Sequence, residues 1–226
     1  MDAVRVSALR EQLTGTGWLE TVGGFAGELR RAVSRRGAGD LLLVGTEAYE
    51  PWHLAAHLKD EAAWSDVPRL APTLLRHRVP AQAPAHLAHG LGLLTEAGRG
   101  ATVLVVAPTA AGATLLERVH DARRHGAAVL ALDGAGPDGA GPDGVGPDGA
   151  AGSNGPAAPA GRAGITGLTD LAGLAHRRLA VGTAEEEPFD LAQHLLSAAA
   201  GERPGRRPVL DRLVALLTAG PTASRW

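Results

Sequence analysis

The spacing of apolar residues near the amino terminus predicts a helix. Apolar side chains recur there at intervals of three or four residues, at Trp18, Val22, Phe25, Leu29 and Val33. That spacing places them on one face of a helix, while glutamate and arginine residues occupy the opposite face. Two glycines shortly after residue 36 end the pattern. We therefore expect an N-terminal helical arm over residues 1–36 whose apolar face packs on a core.

After residue 39 the pattern changes to short apolar runs bounded by turn residues, which is typical of strands buried on both faces. Three runs are clear, at residues 40–45, 101–107 and 127–132. Two weaker ones lie at residues 74–79 and 178–181. Buried strands should include Leu42, Val44, Val103, Val105, Val129 and Leu132.

Helical patterns separate these runs. They begin at Pro51 and cover residues near 86–97, 113–125, 169–175, 188–200 and 208–219. Strands that alternate with helices predict a parallel sheet with helices on both faces. We expect an α/β fold, a five-stranded parallel sheet flanked by helices in a flavodoxin- or Rossmann-like sandwich, with N-terminal helices added.

A low-complexity segment separates the fourth and fifth predicted strands. Residues 133–164 begin with three copies of Asp-Gly-[Ala/Val]-Gly-Pro and contain almost nothing that could be buried, so we expect a flexible surface insertion. Its formal GxGxxG matches lack the helix that a dinucleotide site requires. The predicted α/β domain covers residues 37–203, and a C-terminal helix and tail cover residues 204–226.

Composition excludes several classes of function. The chain has 226 residues, no cysteine and a net charge of −2. The absence of cysteine excludes disulfide scaffolds, thiol catalysis and cysteine-ligated zinc. The weak charge offers no field to attract nucleic acid or an anionic membrane. The first 19 residues lack the apolar core of a signal peptide, and no apolar run reaches the length of a membrane span. We expect a cytoplasmic protein without nucleic-acid or membrane partners.

Ligands of open parallel sheets bind beyond the carboxyl ends of the strands. The segments at residues 45–50, 108–114 and 182–187, together with Asp133, are therefore the candidates. In the 108–114 turn, a strand ends, small residues follow, and a helix starts near Gly112. First-turn amides and the hydroxyls of Thr109 and Thr114 could form an anion site. A plain strand–helix loop capped by one of these threonines fits equally well.

The hexapeptide Thr-Ala-Ala-Gly-Ala-Thr at residues 109–114 resembles the phosphate-binding turn Ser-x-Ser-Gly-x-Thr of sugar isomerase (SIS) modules. Val-Gly-Thr at residues 44–46 is similar to the Gly-Thr-Ser that ends the first strand of many SIS modules. Residues 117–132, 168–176 and 189–196 are similar to later elements of the family. The resemblance spans roughly residues 40–200.

The resemblance implies a divergent SIS domain that binds a phosphorylated sugar or related anion, without a cofactor, in a homodimer. The implied ligand-binding residues are Gly45, Thr46, Thr109, Ala111, Gly112, Ala113 and Thr114. Two departures favour a weakened site, because Ala111 lacks a hydroxyl and Glu47 introduces a negative charge. The alternative is a non-catalytic regulatory or interaction protein that retains the SIS fold. Nucleotide binding ranks third, since no phosphate fingerprint follows the first strand.

Aldose–ketose isomerisation of a sugar phosphate would need a base that moves a proton between neighbouring carbons. The candidate catalytic residues are Glu50, His53 and His194. His53 and His57 have a spacing that could hold zinc. The sequence contains no HExxH pattern and no identifiable third ligand, so we expect no metal. Tyr49 is expected either to line a pocket or to cover the sheet.

Overall fold

The computed structural model describes residues 17–134, 171–181 and 186–201. The helices are α1 Trp18–Ser34, α2 Trp52–Trp64, α3 Leu93–Glu96, α4 Ala113–Arg124, α5 Leu171–Leu174 and α6 Glu186–Gly201. The strands are β1 Leu41–Val44, β2 Thr73–Leu75, β3 Thr102–Ala107, β4 Ala128–Gly134 and β5 Arg177–Val181. Two short 3₁₀ helices cover Pro68–Leu70 and Ala85–Leu87.

The five strands form one parallel sheet in the order β2-β1-β3-β4-β5. This confirms the predicted fold class. In the register, Val44 pairs with Leu75 on one side and with Val105 on the other. The chain leaves β1 for β2 at one edge and then crosses to β3 on the opposite side of β1. The strand order therefore reverses between β1 and β3, which is where ligands of such sheets bind.

The sheet is covered on both faces, because successive side chains of a strand point in opposite directions. Leu43 and Leu104 face a core formed with α1, α2 and α6. Val44 and Val105 face a second core formed with α3, α4 and α5. All six residues predicted to be buried in strands are buried: Leu42, Val44, Val103, Val105, Val129 and Leu132.

Helix α1 packs against one face of the sheet as part of the first core. Its predicted stripe is confirmed, since Val22, Phe25, Leu29 and Val33 are buried in the first core and Trp18 packs against it. The helix contacts α6 and β5. Residues 1–16, the first part of the predicted helical arm, lie outside the described residues.

The described elements differ from the predicted ones in three places. The helix predicted near residues 86–97 is a 3₁₀ turn followed by one turn of α-helix; Gly90 and Gly92 lie between them, and glycine disfavours a continuous helix. Strand β2 ends at Leu75, and the next residue, Arg76, forms an isolated parallel bridge with Gly90 through its amide, which donates to the carbonyl of His89. Strand β4 continues through Gly134.

The extension of β4 corrects the boundary of the predicted insertion. Asp133 and Gly134 belong to the sheet, and Asp133 is buried. The remainder of the predicted insertion, the loop at residues 182–185 and the predicted helix at 208–219 lie outside the described residues. Within the three described ranges, no helix combines the length and apolarity needed to cross a bilayer.

Candidate functional site

A cavity of about 240 Å³ lies beyond the carboxyl ends of β1 and β2. The loop after β1 forms one wall, and the residues that follow β2 form the other. Its lining includes Thr46, Tyr49, Glu50, Arg76 and His77. We refer to it as the carboxyl-edge cavity. The structure thus brings Gly45, Thr46 and Glu50, three of the predicted site residues, to one place.

Gly45 is required by the tight turn after β1. A Cβ at this position would overlap the carbonyl oxygen of Tyr49 and come within 2.6 Å of Cδ of Pro51. The turn is closed by the amide of Tyr49, which donates to the carbonyl of Thr46 at 3.2 Å. Thr46 is 5% exposed, and its hydroxyl has no hydrogen-bond partner among the described residues.

Two ion pairs cross the cavity. Arg76 contacts Glu50 through two nitrogens, at 2.9 and 3.0 Å, and both side chains are partly buried. Arg78 contacts Glu47 at 2.8 Å, and both of these side chains are largely exposed. In the second pair, the carboxylate of Glu47 lies towards the residues that follow β2. Each carboxylate of the cavity is therefore matched by a guanidinium group.

His77 is a functional candidate that sequence reasoning missed. Its Nε2 lies 3.0 Å from the carbonyl oxygen of Gly45. A carbonyl can only accept, so this nitrogen carries the hydrogen and Nδ1 of the neutral ring keeps its lone pair. The end of β2 is absent from the segments considered in the sequence. Ligands of parallel sheets bind beyond the carboxyl ends of the strands, and this rule applies to β2 as well. It is the signal in the sequence that could have identified His77.

The 108–114 turn lies on the other side of β1 and does not line the cavity. Helix α4 begins after Gly112, which is the N-cap and offers no side-chain hydrogen bond. Neither threonine therefore caps the helix. The amides of Leu115 and Leu116 donate to the carbonyl of Gly112. This leaves the amides of Ala113 and Thr114 in the first turn, where a helix has no acceptor of its own.

The turn is open to solvent. Thr109, Gly112, Ala113 and Thr114 are exposed, whereas Ala111 packs against the second core. No atom lies within 4 Å of the position that a Cβ on Gly112 would take. The predicted phosphate turn thus has the space for a ligand.

The structure separates the three predicted catalytic residues. Glu50 lines the cavity, but His53 and His194 do not. His53 is exposed at the start of α2, and the centroid of its ring is 3.5 Å from that of Trp52. His194 is half-buried on α6, and the centroid of its ring is 4.3 Å from that of His57.

The histidines of α2 and α6 form a cluster that the sequence does not reveal. Burial lowers the pKa of His194, and the nearby His57 and, more weakly, His53 lower it further, while Asp190 opposes the shift. His194 is thus a third imidazole near His53 and His57. The three do not form a metal site, because no group of three or more histidine, aspartate or glutamate side chains in the described parts of the chain could hold a metal ion.

Tyr49 joins the cavity wall to α6. Its hydroxyl accepts a hydrogen bond from Nε2 of Gln193 at 2.7 Å and lies 3.4 Å from Oδ1 of Asp190. Its ring meets the edge of Phe189, with the centroids 5.8 Å apart. Tyr49 therefore both lines the cavity and packs on the helical layer.

No protein-family model matches the chain, and no curated protein matches it. Among solved structures, the chain is similar to a crystal structure named "Putative sugar binding protein" from Salmonella typhimurium LT2, with 16% identity and a TM-score of 0.47. The match covers 88% of this chain and 50% of the other, so the chain spans half the length of that structure. A likeness at this level does not indicate which residues bind a ligand.

Proposed function

We propose that the protein binds a phosphorylated sugar at the carboxyl edge of its sheet. The sugar hydroxyls would occupy the carboxyl-edge cavity, and the phosphate would lie on the 108–114 turn. The balanced charge of the cavity carries this proposal: Arg76 is paired with Glu50, and Arg78 with Glu47. Hydroxyl groups donate to carboxylates and accept from guanidinium groups, so a polyol suits such a lining better than a dianion.

The phosphate is assigned to the turn because first-turn amides favour anions. The amides of Ala113 and Thr114 and the exposed threonine hydroxyls supply donors without a competing carboxylate from Glu47. The turn also carries the resemblance to the SIS phosphate motif. Since β1 and β3 are paired neighbours, about 4.8 Å separates the strands that lead to the two half-sites. The proposed ligand would extend from the cavity beyond β1 and β2 to the turn after β3.

The finer form of the proposal is aldose–ketose isomerisation. Glu50 is the proposed base, because it lines the cavity and Arg76 holds its carboxylate in place. His77 lines the same cavity, and the hydrogen bond of Nε2 to Gly45 would leave Nδ1 of a neutral ring as the acceptor, which suits a second proton-transfer role. His53 and His194 lie on the α2–α6 helix pair outside the cavity lining, which favours His77 over them.

The second candidate is a non-catalytic regulatory or interaction protein. Ala111 supplies no hydroxyl to the turn, and α2 exposes two large apolar side chains, Trp52 at 58% and Trp64 at 80%. Contiguous exposed apolar surface marks interaction sites, and these two tryptophans, at opposite ends of α2, are the apolar side chains that such a partner would contact. A homodimer is proposed with either function, and light scattering after size-exclusion chromatography would test it.

The test begins with a thermal-shift screen of sugar phosphates, each beside the matching unphosphorylated sugar. A ligand at a hundredfold over its Kd adds about 2.7 kcal/mol to stability, which such a screen detects. The best compound is then titrated by calorimetry into variants of the turn. Gly112→Asp sets a carboxylate against the first-turn amides and is expected to weaken binding about tenfold or more. Gly112→Ala is the matched control and should bind normally, because that position is open.

Two further variants test the donors. Thr114→Ala should weaken binding by about 1 kcal/mol, the value of one hydrogen bond. Ala111→Ser restores the hydroxyl of the SIS motif; because Ala111 is partly buried against the second core, tighter binding is expected when that hydroxyl turns outward to the phosphate. Equal affinities for the wild type, Gly112→Asp and Ala111→Ser would place the phosphate elsewhere. No compound from the screen binding at all would favour the interaction protein.

Isomerase activity is tested separately by following the bound sugar phosphate with NMR in deuterated water. Exchange of the proton on the carbon next to the carbonyl, together with formation of the isomer, is expected for the wild type. Glu50→Gln should abolish both, because the amide cannot act as the base. Binding without exchange would identify a sugar-phosphate receptor and reject the enzyme.

A further inference from the structure

A second cleft opens at the opposite, amino-terminal edge of the sheet. It has a volume of about 560 Å³ and lies between the last turn of α1, the end of α4 and the first residues of β4 and β5. Its charged and polar lining residues are Glu28, Arg31, Arg35, His176 and Arg177. We refer to it as the amino-edge cleft.

The amino-edge cleft is positive, in contrast to the balanced carboxyl-edge cavity. Arg31 pairs with Glu28 at 2.5 Å, and both side chains are exposed. Arg35 and Arg177 have no ion-pair partner within the described ranges. Three guanidinium groups therefore face one carboxylate. The carboxyl ends of α1 and α4 offset about half a charge each, so a net charge of about +1 remains.

His176 adds a fixed hydrogen-bond donor. Its Nδ1 accepts the backbone amide of Val129 at 3.0 Å, and its own amide donates to the carbonyl of Val129 at 2.8 Å. With Nδ1 occupied as an acceptor, the hydrogen of the neutral imidazole is on Nε2. The ring is thus anchored to the start of β4 and has an N–H donor available.

The guanidinium group of Arg177 lies across α1. Its Nη2 is 3.7 Å from the position that a Cβ on Gly24 would take, so the missing side chain of this helical glycine leaves room for it. Arg177 on β5 and Arg35 at the end of α1 approach the cleft from different elements. Donors from α1 and from β5 therefore line the same cleft, at points spread along the axis of α1.

We propose that the amino-edge cleft binds a small phosphate-bearing molecule. The planar fork of a guanidinium group matches two oxygens of a phosphate, and several forks around one cleft suit a ligand with more than one anionic group. The volume lies within the range of small-molecule sites. The site is at the edge of the sheet opposite to the carboxyl-edge cavity, so it stands independently of the proposed sugar-phosphate function.

Pyrophosphate is the probe, with citrate as the carboxylate comparison and sodium chloride at matched ionic strength. Each is titrated into the full chain and followed by thermal shift and calorimetry. We expect pyrophosphate to bind and to stabilise the wild type more than the salt does. Arg35→Gln and Arg177→Gln should each weaken binding about fivefold or more, the effect of a lost charge-assisted contact. Lys59→Gln removes the same charge from exposed α2 and should bind as the wild type does.

Arg177→Lys keeps the charge but removes the fork, and an affinity between those of the wild type and Arg177→Gln is expected. This variant also keeps the test decisive should Arg177→Gln fail to fold. Stabilisation equal to that by salt, unchanged binding by the arginine variants, or equal weakening by Lys59→Gln would overturn the proposal. Preference for citrate would reassign the ligand to a carboxylate. Loss of pyrophosphate binding in Gly112→Asp would place the anion at the carboxyl edge and reject the second site.

Discussion

The Nε of Arg178 donates to both carboxylate oxygens of Asp133, at 2.9 and 2.8 Å. The two residues are 45 positions apart in the sequence and lie on the neighbouring strands β5 and β4. The side chain of Asp133 is 9% exposed, and that of Arg178 is 34% exposed. The pair therefore fixes the last strand to the sheet at the point where the low-complexity segment begins.

Removal of the cation should be costly. Arg178→Met leaves the carboxylate of Asp133 buried without its guanidinium partner, and breaking a buried pair in this way costs about 3–5 kcal/mol. Because Arg178 is one-third exposed, we expect about 2 kcal/mol, measured by urea unfolding. The matched control is Arg177→Met on the same strand, which is exposed and should cost less than about 0.5 kcal/mol. Equal effects would show that the pair contributes nothing specific.

Gly45 should tolerate no side chain. Gly45→Ala places a methyl group against the carbonyl of Tyr49 and the ring of Pro51, and overpacking of a rigid turn costs about 3 kcal/mol or more. Gly112→Ala, in open space, should change the free energy of unfolding by about 0.5 kcal/mol or less. Thermal and urea denaturation measure both. A Gly45→Ala protein as stable as the Gly112→Ala protein would refute the tight turn.

Acidification should destabilise the α2–α6 helix pair. The pKa of His194 in the folded protein lies below the ordinary value of 6.5, mainly through burial and then through His57. Well above pH 6.5 the imidazole is neutral in both the folded and the unfolded state, so it contributes nothing to the pH dependence of stability. As the pH falls below 6.5, the unfolded chain binds the proton first, so stability decreases until the folded pKa is passed.

The measurement is a series of denaturation curves between pH 7.5 and 5, which brackets the ordinary histidine pKa of about 6.5. His194→Gln removes the titrating group and should flatten the decline. An unchanged slope in His194→Gln would locate the pH dependence elsewhere.

The two ion pairs of the carboxyl-edge cavity should differ in strength. The pair of Arg78 and Glu47 is largely exposed, so a double-mutant cycle should give a coupling of about 0–0.5 kcal/mol. Arg76 and Glu50 are 26% and 37% exposed and make two contacts, so about 1 kcal/mol is expected. Both cycles use alanine variants and urea unfolding. A stronger outer pair would contradict the described burial.

The central strand should not accept a charge. Val105→Asp places an unpaired carboxylate in a core where the valine is fully buried, and we expect the variant not to fold. Ala110→Asp, in the exposed turn beyond the same strand, should fold normally. Circular dichroism and expression in the soluble fraction distinguish them. A folded Val105→Asp protein with an unchanged Tm would reject the strand assignment.

The sequence predicts most of the fold because strand and helix burial depends on local pattern. Runs such as residues 101–107 are apolar on both faces, so they identify strands of a parallel sheet without any knowledge of their neighbours. Helical periodicity likewise identifies the buried face of α2, which consists of Leu54, Ala55, Leu58 and Ala62. The preference of glycine for a positive φ identifies the end of α4 at Gly126, whose φ is 96°. The single helix predicted near residues 86–97 is absent, because the helix-disfavouring effect of Gly90 and Gly92 exceeds the effect of its apolar residues.

The site is only partly encoded in local pattern. Gly45, Thr46 and Glu50 can be placed from the sequence alone, because they follow a clear strand in a fold whose ligands bind at strand ends. Which side chains join them depends on strand order, and the sequence does not show that β2 lies beside β1. Only the tertiary structure shows the ion pair of Arg76 with Glu50, the hydrogen bond of His77 to the carbonyl of Gly45 and the ring contact of His194 with His57. These contacts join residues far apart in the chain, so they are determined by packing and have no periodic signature in the sequence.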